Sequence, residues 1–167
     1  EVEIQKKQTE SILSSILLPI LITDKKTRKI VYANPYAQKQ YETTIEELLG
    51  LDIEDLYTYE GQQHDILMEL ATQGVIQNFE TKFKTLKDNQ FDAILSLIDI
   101  SYEGKECFLG VASDITPQKE AEQKIREINK KVSDSIDYAS LIQHALIPQS
   151  SEIKKYFEDF FTIWQPK

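Results

Sequence analysis

The chain predicts an α+β fold: a five-stranded antiparallel sheet with helices on one face, preceded by an amphipathic helix and followed by a long coiled-coil helix. Three observations carry this. Strand-like segments come in the order two, then a helical stretch, then three, and tight turns separate the last three. The apolar run Cys107 to Ala112 stops at Asp114-Ile115-Thr116-Pro117, a combination that ends a strand and starts a helix. Beyond that junction apolar residues recur in alternating steps of four and three.

Residues 1–16 place Val2, Thr9, Ile12 and Ile16 near heptad spacing with charges between, which predicts an amphipathic leading helix. Pro19 ends it. Ile20-Leu21-Ile22-Thr23 and Ile30-Val31-Tyr32-Ala33, joined by Asp24-Lys25-Lys26-Thr27, read as a hairpin that closes at Asn34-Pro35. Thr43-Thr44-Ile45-Glu46-Glu47-Leu48-Leu49-Gly50 supplies an N-cap, acidic first-turn residues and a terminating glycine. A further helix from about Gln62 to Thr72 sets Ile66, Leu67 and Leu70 on one side and stops at Gly74.

Three strands follow, about Ile76–Thr85, Phe91–Ser101 and Glu106–Ser113, with turns at Lys87-Asp88-Asn89 and Glu103-Gly104-Lys105. Phe79, Thr81 and Phe83 share one face of the first, opposite Asn78, Glu80 and Lys82, the pattern of a half-buried strand. Ala93 to Ile98 is apolar on both faces, so the outer side of the sheet should be covered as well, by the leading helix or by a partner subunit. At the junction, Thr116 suits an N-cap and Pro117 the first helical position.

A net charge of −9, with Lys and Arg interspersed among Asp and Glu, leaves no basic footprint, and nucleic acid is set aside as a partner. The single cysteine, Cys107, excludes an intramolecular disulfide and reads as a buried thiol in a cytoplasmic protein. The apolar stretch Ile12 to Ile22 is interrupted by Ser14, Ser15 and Pro19 and is shorter than the ~20 residues a bilayer requires, so this segment makes no membrane contact. The chain begins at Glu1 and ends on Ile163-Trp164-Gln165-Pro166-Lys167, which reads as a piece of a longer protein with room upstream for a membrane anchor.

Taken in order, Ile30-Val31-Tyr32-Ala33-Asn34, Glu46-Glu47-Leu48-Leu49-Gly50, Gly74 and the terminal Asp114-Ile115-Thr116 resemble a PAS domain over roughly Ile12 to Thr116. The resemblance implies a PAS fold and a sensory role. The tail carries a second one. Asp134-Ser135-Ile136-Asp137-Tyr138-Ala139 with Ile142-Gln143, then Ala145-Leu146-Ile147-Pro148, Phe160 and Trp164 to Pro166, is similar to the opening of the bacterial PPM-type serine phosphatases related to sporulation protein E. In that family a regulatory helix leads into the catalytic domain, whose metal-binding Gly-Gly-Asp comes later than residue 167. No residue of this chain is therefore assigned a catalytic role, and the domains divide as 1–16 leading helix, 17–116 sensor, 117–148 coiled-coil signalling helix and 149–167 start of a phosphatase domain. The implied partners are a second copy of the chain, the downstream phosphatase domain and its phosphoprotein substrate.

The seam of the signalling helix runs Ala121, Ile125, Ile128, Val132, Ser135, Ala139, Ile142, Leu146, a parallel coiled-coil pattern whose roughly 26 residues span about 39 Å. The competing reading is an amphipathic helix folded back on its own domain. Ser135 and Ala139 bury little, so the far seam is weak, which suits a two-state transmitter. Asp114 and Thr116 are read as the hinge that fastens it to the sheet.

Four kinds of chemistry compete, three inside the core and one on the signalling helix. Haem would need His64, ten residues before Gly74, in the place where the resemblance implies a proximal histidine, yet Phe79, Thr81 and Phe83 stand where haem-based gas sensors supply an arginine. A small organic ligand could be lined by Tyr32, Tyr41, Phe79, Phe83, Ile94 and Ser96, which equally well form plain core with no cofactor. Flavin photochemistry would need a cysteine in an Asn-Cys-Arg-type motif on the central helices, where there is none. His144 raises the alternative of a histidine kinase, but Ala145 stands where such kinases have an acid.

Overall fold

The computed structural model describes residues 2–146 in two compact units, one up to Lys119 and one from Glu120 onward. The expected start of a phosphatase domain at 149–167, with Phe160 and Trp164, lies outside the described residues, as do Ile147 and Pro148. In the first unit, α1 (Val2–Ser15) leads into β1 (Ile20–Asp24) and β2 (Ile30–Ala33). Helices α2 (Pro35–Gln40) and α3 (Ile45–Leu48), a 3-10 turn at Ile53–Leu56 and α4 (Gln62–Gln73) follow, and then β3 (Ile76–Lys84), β4 (Gln90–Tyr102) and β5 (Lys105–Asp114). All five strands form one antiparallel sheet in the order β2-β1-β5-β4-β3. The last strand thus closes between the first and its own hairpin partner.

Alternation along the strands sorts side chains onto two faces. The inner face carries Leu21, Ile30, Phe83, Phe91, Ala93, Leu95 and Ala112, covered by Ala37, Tyr41, Leu48, Leu56 and Ile66 from the helical stretch. On the outer face Ile20, Ile22, Tyr32 and Cys107 are buried under Leu13 and Ile16, so the leading segment does cover that side, as the apolar outer positions of β4 require. Its cover is partial, since Ile98 remains exposed. Desolvation raises the pKa of the Cys107 thiol, which keeps it protonated.

Asn34 ties the layers together and is fully buried. Its Oδ1 accepts from the amides of Ile20 and Ala37, each at 3.0 Å, which caps α2 ahead of Pro35. Its Nδ2 donates to the carbonyls of Leu13, Ile16 and Leu18, the last at 2.8 Å. One amide side chain therefore pins the end of α1, the start of β1 and the start of α2. Thr44 and Glu47 complete a capping box on α3, and Gly74 ends α4 at a φ of 74°, which costs a residue without Cβ nothing.

The junction differs from the expected cap. The Thr116 hydroxyl accepts from the Asp92 amide of β4 at 2.9 Å rather than from its own first turn, while Asp114 Oδ1 accepts from the Thr116 amide at 2.8 Å. The reason is the geometry of the sheet: Asp114 pairs with Ala93, so the chain leaves β5 directly beside Asp92. From there α5 (Thr116–Leu146) runs 31 residues.

Candidate functional site

Between the inner face of the sheet and the helical stretch lies a cavity of about 250 Å³. Its floor is Leu21 on β1, Leu95 and Leu97 on β4, and Gly110 and Ala112 on β5; Tyr41, Ile53 and Tyr57 wall one side. From α4 come Gln63, Ile66 and Leu67, three residues that helical spacing puts on one face. The rim holds Asp24, Lys25, Arg28 and Phe108. Gly110 lets the Leu97 side chain pack over the strand, because a Cβ there would stand 3.2 Å from Leu97 Cδ1.

Of the pocket residues expected from sequence, Tyr41 and Phe83 line this cavity. Phe79 packs against the inner core next to it. Tyr32 does not face it: the β1–β2 register shifts between Ile22 and Thr23, and the bulge turns Tyr32 to the outer face, against Tyr102 and within 3.4 Å of the Ser14 hydroxyl. Ile94 and Ser96 alternate with Ala93, Leu95 and Leu97 and therefore also point outward. His64 is exposed and is not among the residues that line the cavity.

The residue that anchors α4 is its neighbour Gln62. It is fully buried, accepts from the Thr58 amide at 2.8 Å and donates to the Lys82 carbonyl at 2.6 Å and to Thr81 Oγ1 at 3.2 Å. The sequence draws the eye instead to the more reactive histidine. The available signal is a polar residue opening a helix whose next inward positions, Ile66 and Leu70, are apolar.

The rim is electrostatically spent. Asp24 Oδ1 accepts from the amides of Lys26 and Thr27, and these bonds hold its carboxyl below the usual range. Lys25 Nζ lies 2.7 Å from Asp99 and 4.7 Å from the centre of the Phe108 ring. Arg28 is clamped by Glu54 at 2.8 Å and Asp52 at 3.1 Å. Deeper in, burial raises the Tyr41 hydroxyl beyond its ordinary range and pushes Tyr57 up to about 12, so both stay neutral. Among the described residues no three His, Cys, Asp or Glu side chains gather as a metal site.

Asp92 connects the floor strand β4 to the exit. Its carbonyl accepts from the Ile115 amide at 2.9 Å and its carboxylate lies 3.2 Å from Lys119 Nζ, which Glu80 of β3 also holds at 3.0 Å. The two carboxylates, Glu80 first, raise the pKa of Lys119. Asp114 and Thr116 thus meet at the junction with Asp92 and Lys119, which the sequence does not single out.

In the second unit Ile125, Ile128, Val132, Ser135, Ala139 and Ile142 are all exposed on α5, and Leu146 ends it. Ile128, Lys131, Val132, Ser135, Ile136 and Ala139 form one shallow, mainly apolar surface. A strict heptad omits Ile136, because it falls four residues after Val132 where the pattern expects three. The Ser135 hydroxyl donates back to the Lys131 carbonyl at 2.8 Å, and His144 is exposed with Nδ1 2.8 Å from the Ser140 carbonyl oxygen. Among the described residues no helix is long and apolar enough to cross a membrane.

Comparison with known proteins places this geometry. The family model described as PAS domain matches residues 17–117. Similar solved structures include a PAS domain from a two-component sensor histidine kinase, with TM-score 0.58 and 13% identity over 68% of this chain and 99% of that one. A PAS domain of a Colwellia psychrerythraea protein gives TM-score 0.58 and 19% identity over 67% and 98% of the two chains. The Rhodobacter sphaeroides LOV protein gives 0.56 and 19% over 66% and 67%. At such identities these likenesses establish the fold. Curated protein sequences give no significant match.

Proposed function

Because the chain belongs to the PAS domain family, matched over residues 17–117, we propose that it is a sensory module in which occupancy of the inner cavity is passed through β4 and its Asp92 to the first turn of α5. The carrying observation is that Leu95 and Leu97 of the cavity floor and Asp92 of the junction belong to one strand. A shift of that strand moves the hydrogen-bond partner of Thr116 and Ile115 directly. A sensor role, not catalysis, follows for this segment.

For the output, the tail from Asp134 to Pro148 supports a PPM-type serine phosphatase related to sporulation protein E, acting on a phosphoprotein, an anti-sigma-factor antagonist by the family resemblance, with two chains paired through their α5 helices. The exposed apolar surface from Ile128 to Ala139 is what such pairing would use. The test is phosphate release from a phosphoserine protein by the full-length protein, compared with its Thr116→Val variant. Release that changes with the variant supports the reading. ATP-dependent labelling of His144 would replace it with a histidine kinase, the kind of protein one of the similar PAS folds comes from.

A further inference from the structure

The lining of the cavity restricts what can occupy it, and the ligand class it implies rests on the cavity being the sensory site. The floor is aliphatic, and each charged group on the rim already has a partner. Lys25, Arg28 and Lys105 are faced there by Asp24, Asp52, Glu54 and Asp99: three cations against four carboxylates, one of them Asp24 with Lys105 at 3.9 Å. An anionic head group that reached Arg28 would lie beside the Glu54 and Asp52 carboxylates that already hold it, and both would repel it. A cation would have to be stripped of water against Leu95, Leu97 and Ala112.

Two features set size and shape. About 250 Å³ exceeds the roughly 150 Å³ of apolar space that takes one benzene ring, so two fused rings fit. Gly110 lies between Leu21 of β1 and Leu97 of β4, and the Leu97 side chain packs over it, so the floor is aliphatic at this point as well. Thr23 and Tyr57 add neutral hydroxyls to the lining, suited to one carbonyl or hydroxyl on the guest.

We infer that the cavity selects an uncharged, predominantly apolar molecule of about two fused rings bearing a neutral polar substituent, and discriminates against carboxylate, phosphate and ammonium analogues. Selection comes from the lining in two parts: the rim pairs its charges internally, and the aliphatic floor and the volume set the size and apolar character of the guest.

The experiment uses three probes of one shape, 2-naphthol, 2-naphthoate and 2-naphthylmethylammonium, titrated calorimetrically into the chain at neutral pH. 2-Naphthol is expected to bind at least ten-fold more tightly than either charged probe. Leu67→Trp, at a half-exposed position on the cavity wall, should abolish its binding without loss of the folded circular dichroism spectrum. Gly110→Leu should do the same, and Leu67→Trp serves where Gly110→Leu fails to fold. A charged probe that binds as tightly as 2-naphthol, and is lost in Leu67→Trp, overturns the ligand class and leaves the cavity as the sensory site. Binding of 2-naphthol that is absent, or unaffected by Leu67→Trp, overturns both.

Discussion

Asp92 and Thr116, 24 residues apart, share a hydrogen bond of 2.9 Å from the amide of the first to the hydroxyl of the second, and the Asp92 carbonyl takes the Ile115 amide in return. Both main-chain groups of one strand residue are thus committed to the start of a helix. A helix end leaves free amides that water normally satisfies, so the sheet here supplies what solvent would.

Thr116→Val removes the acceptor and keeps the shape. Loss of one such bond should lower stability by about 1 kcal/mol, measured by urea denaturation, with the Asp92 amide losing protection against hydrogen exchange while amides of β1 keep theirs. Asp114→Ala should loosen the same turn by freeing the Thr116 amide.

Asn34→Leu is expected to be far more damaging. It strands the Ile20 and Ala37 amides and three carbonyls in a buried site, and the cost should be of order 3 kcal/mol, seen as a lower urea midpoint. In proteolysis, cleavage should appear first between α1 and β1.

Gln62 and His64 make a paired prediction. Gln62→Leu leaves the Thr58 amide unpaired and the Lys82 carbonyl with only the long bond from the Thr58 hydroxyl, and should cost about 2 kcal/mol, whereas His64→Ala at an exposed position should change stability by less than about 0.5 kcal/mol. Equal effects in chemical denaturation would contradict the placement of α4.

Acid should unfold the chain through a recognisable set of carboxylates. Hydrogen bonds hold Asp24, Glu42 and Glu47 below their ordinary pKa, Glu42 through Asn89 and Thr85, Glu47 through Thr43 and the Thr44 amide. The unfolded chain then binds more protons than the folded one below about pH 4, so stability is fully present above that range and is lost as pH falls through the lowered folded values. Asp24→Asn keeps an oxygen for the Lys26 and Thr27 amides and should flatten part of that acid limb in a urea midpoint against pH series.

Ser135→Leu with Ala139→Ile enlarges the weak part of the α5 surface. If two chains pair there, sedimentation equilibrium should show the dimer tightened by about ten-fold or more, and Ile128→Asp should dissociate it.

Most of the sheet was legible because alternation and turn residues are local: the β3 face of Phe79, Thr81 and Phe83 and the Gly74 stop needed nothing from the rest of the chain. Faces were lost where registers slip. A single bulge between Ile22 and Thr23 sends Tyr32 outward, and no residue type near it announces that. Ile94 and Ser96 were misplaced for another reason, since a strand apolar on both sides does not say which side holds the cavity. Gln62, Asp92 and Lys119 owe their roles to partners 20, 24 and 27 residues away, and polar side chains give no periodic signal of that kind.

The sheet order puts β1 against β5, with Ile20 opposite Val111. The chain therefore enters the core and leaves it on adjacent strands at the same end of the sheet, a few residues from Asn34's grip on one side and Asp92's on the other. Such a fold behaves as a cassette. Spliced between two helices of another protein it should keep both boundaries, because the pair of clasps travels with the sheet.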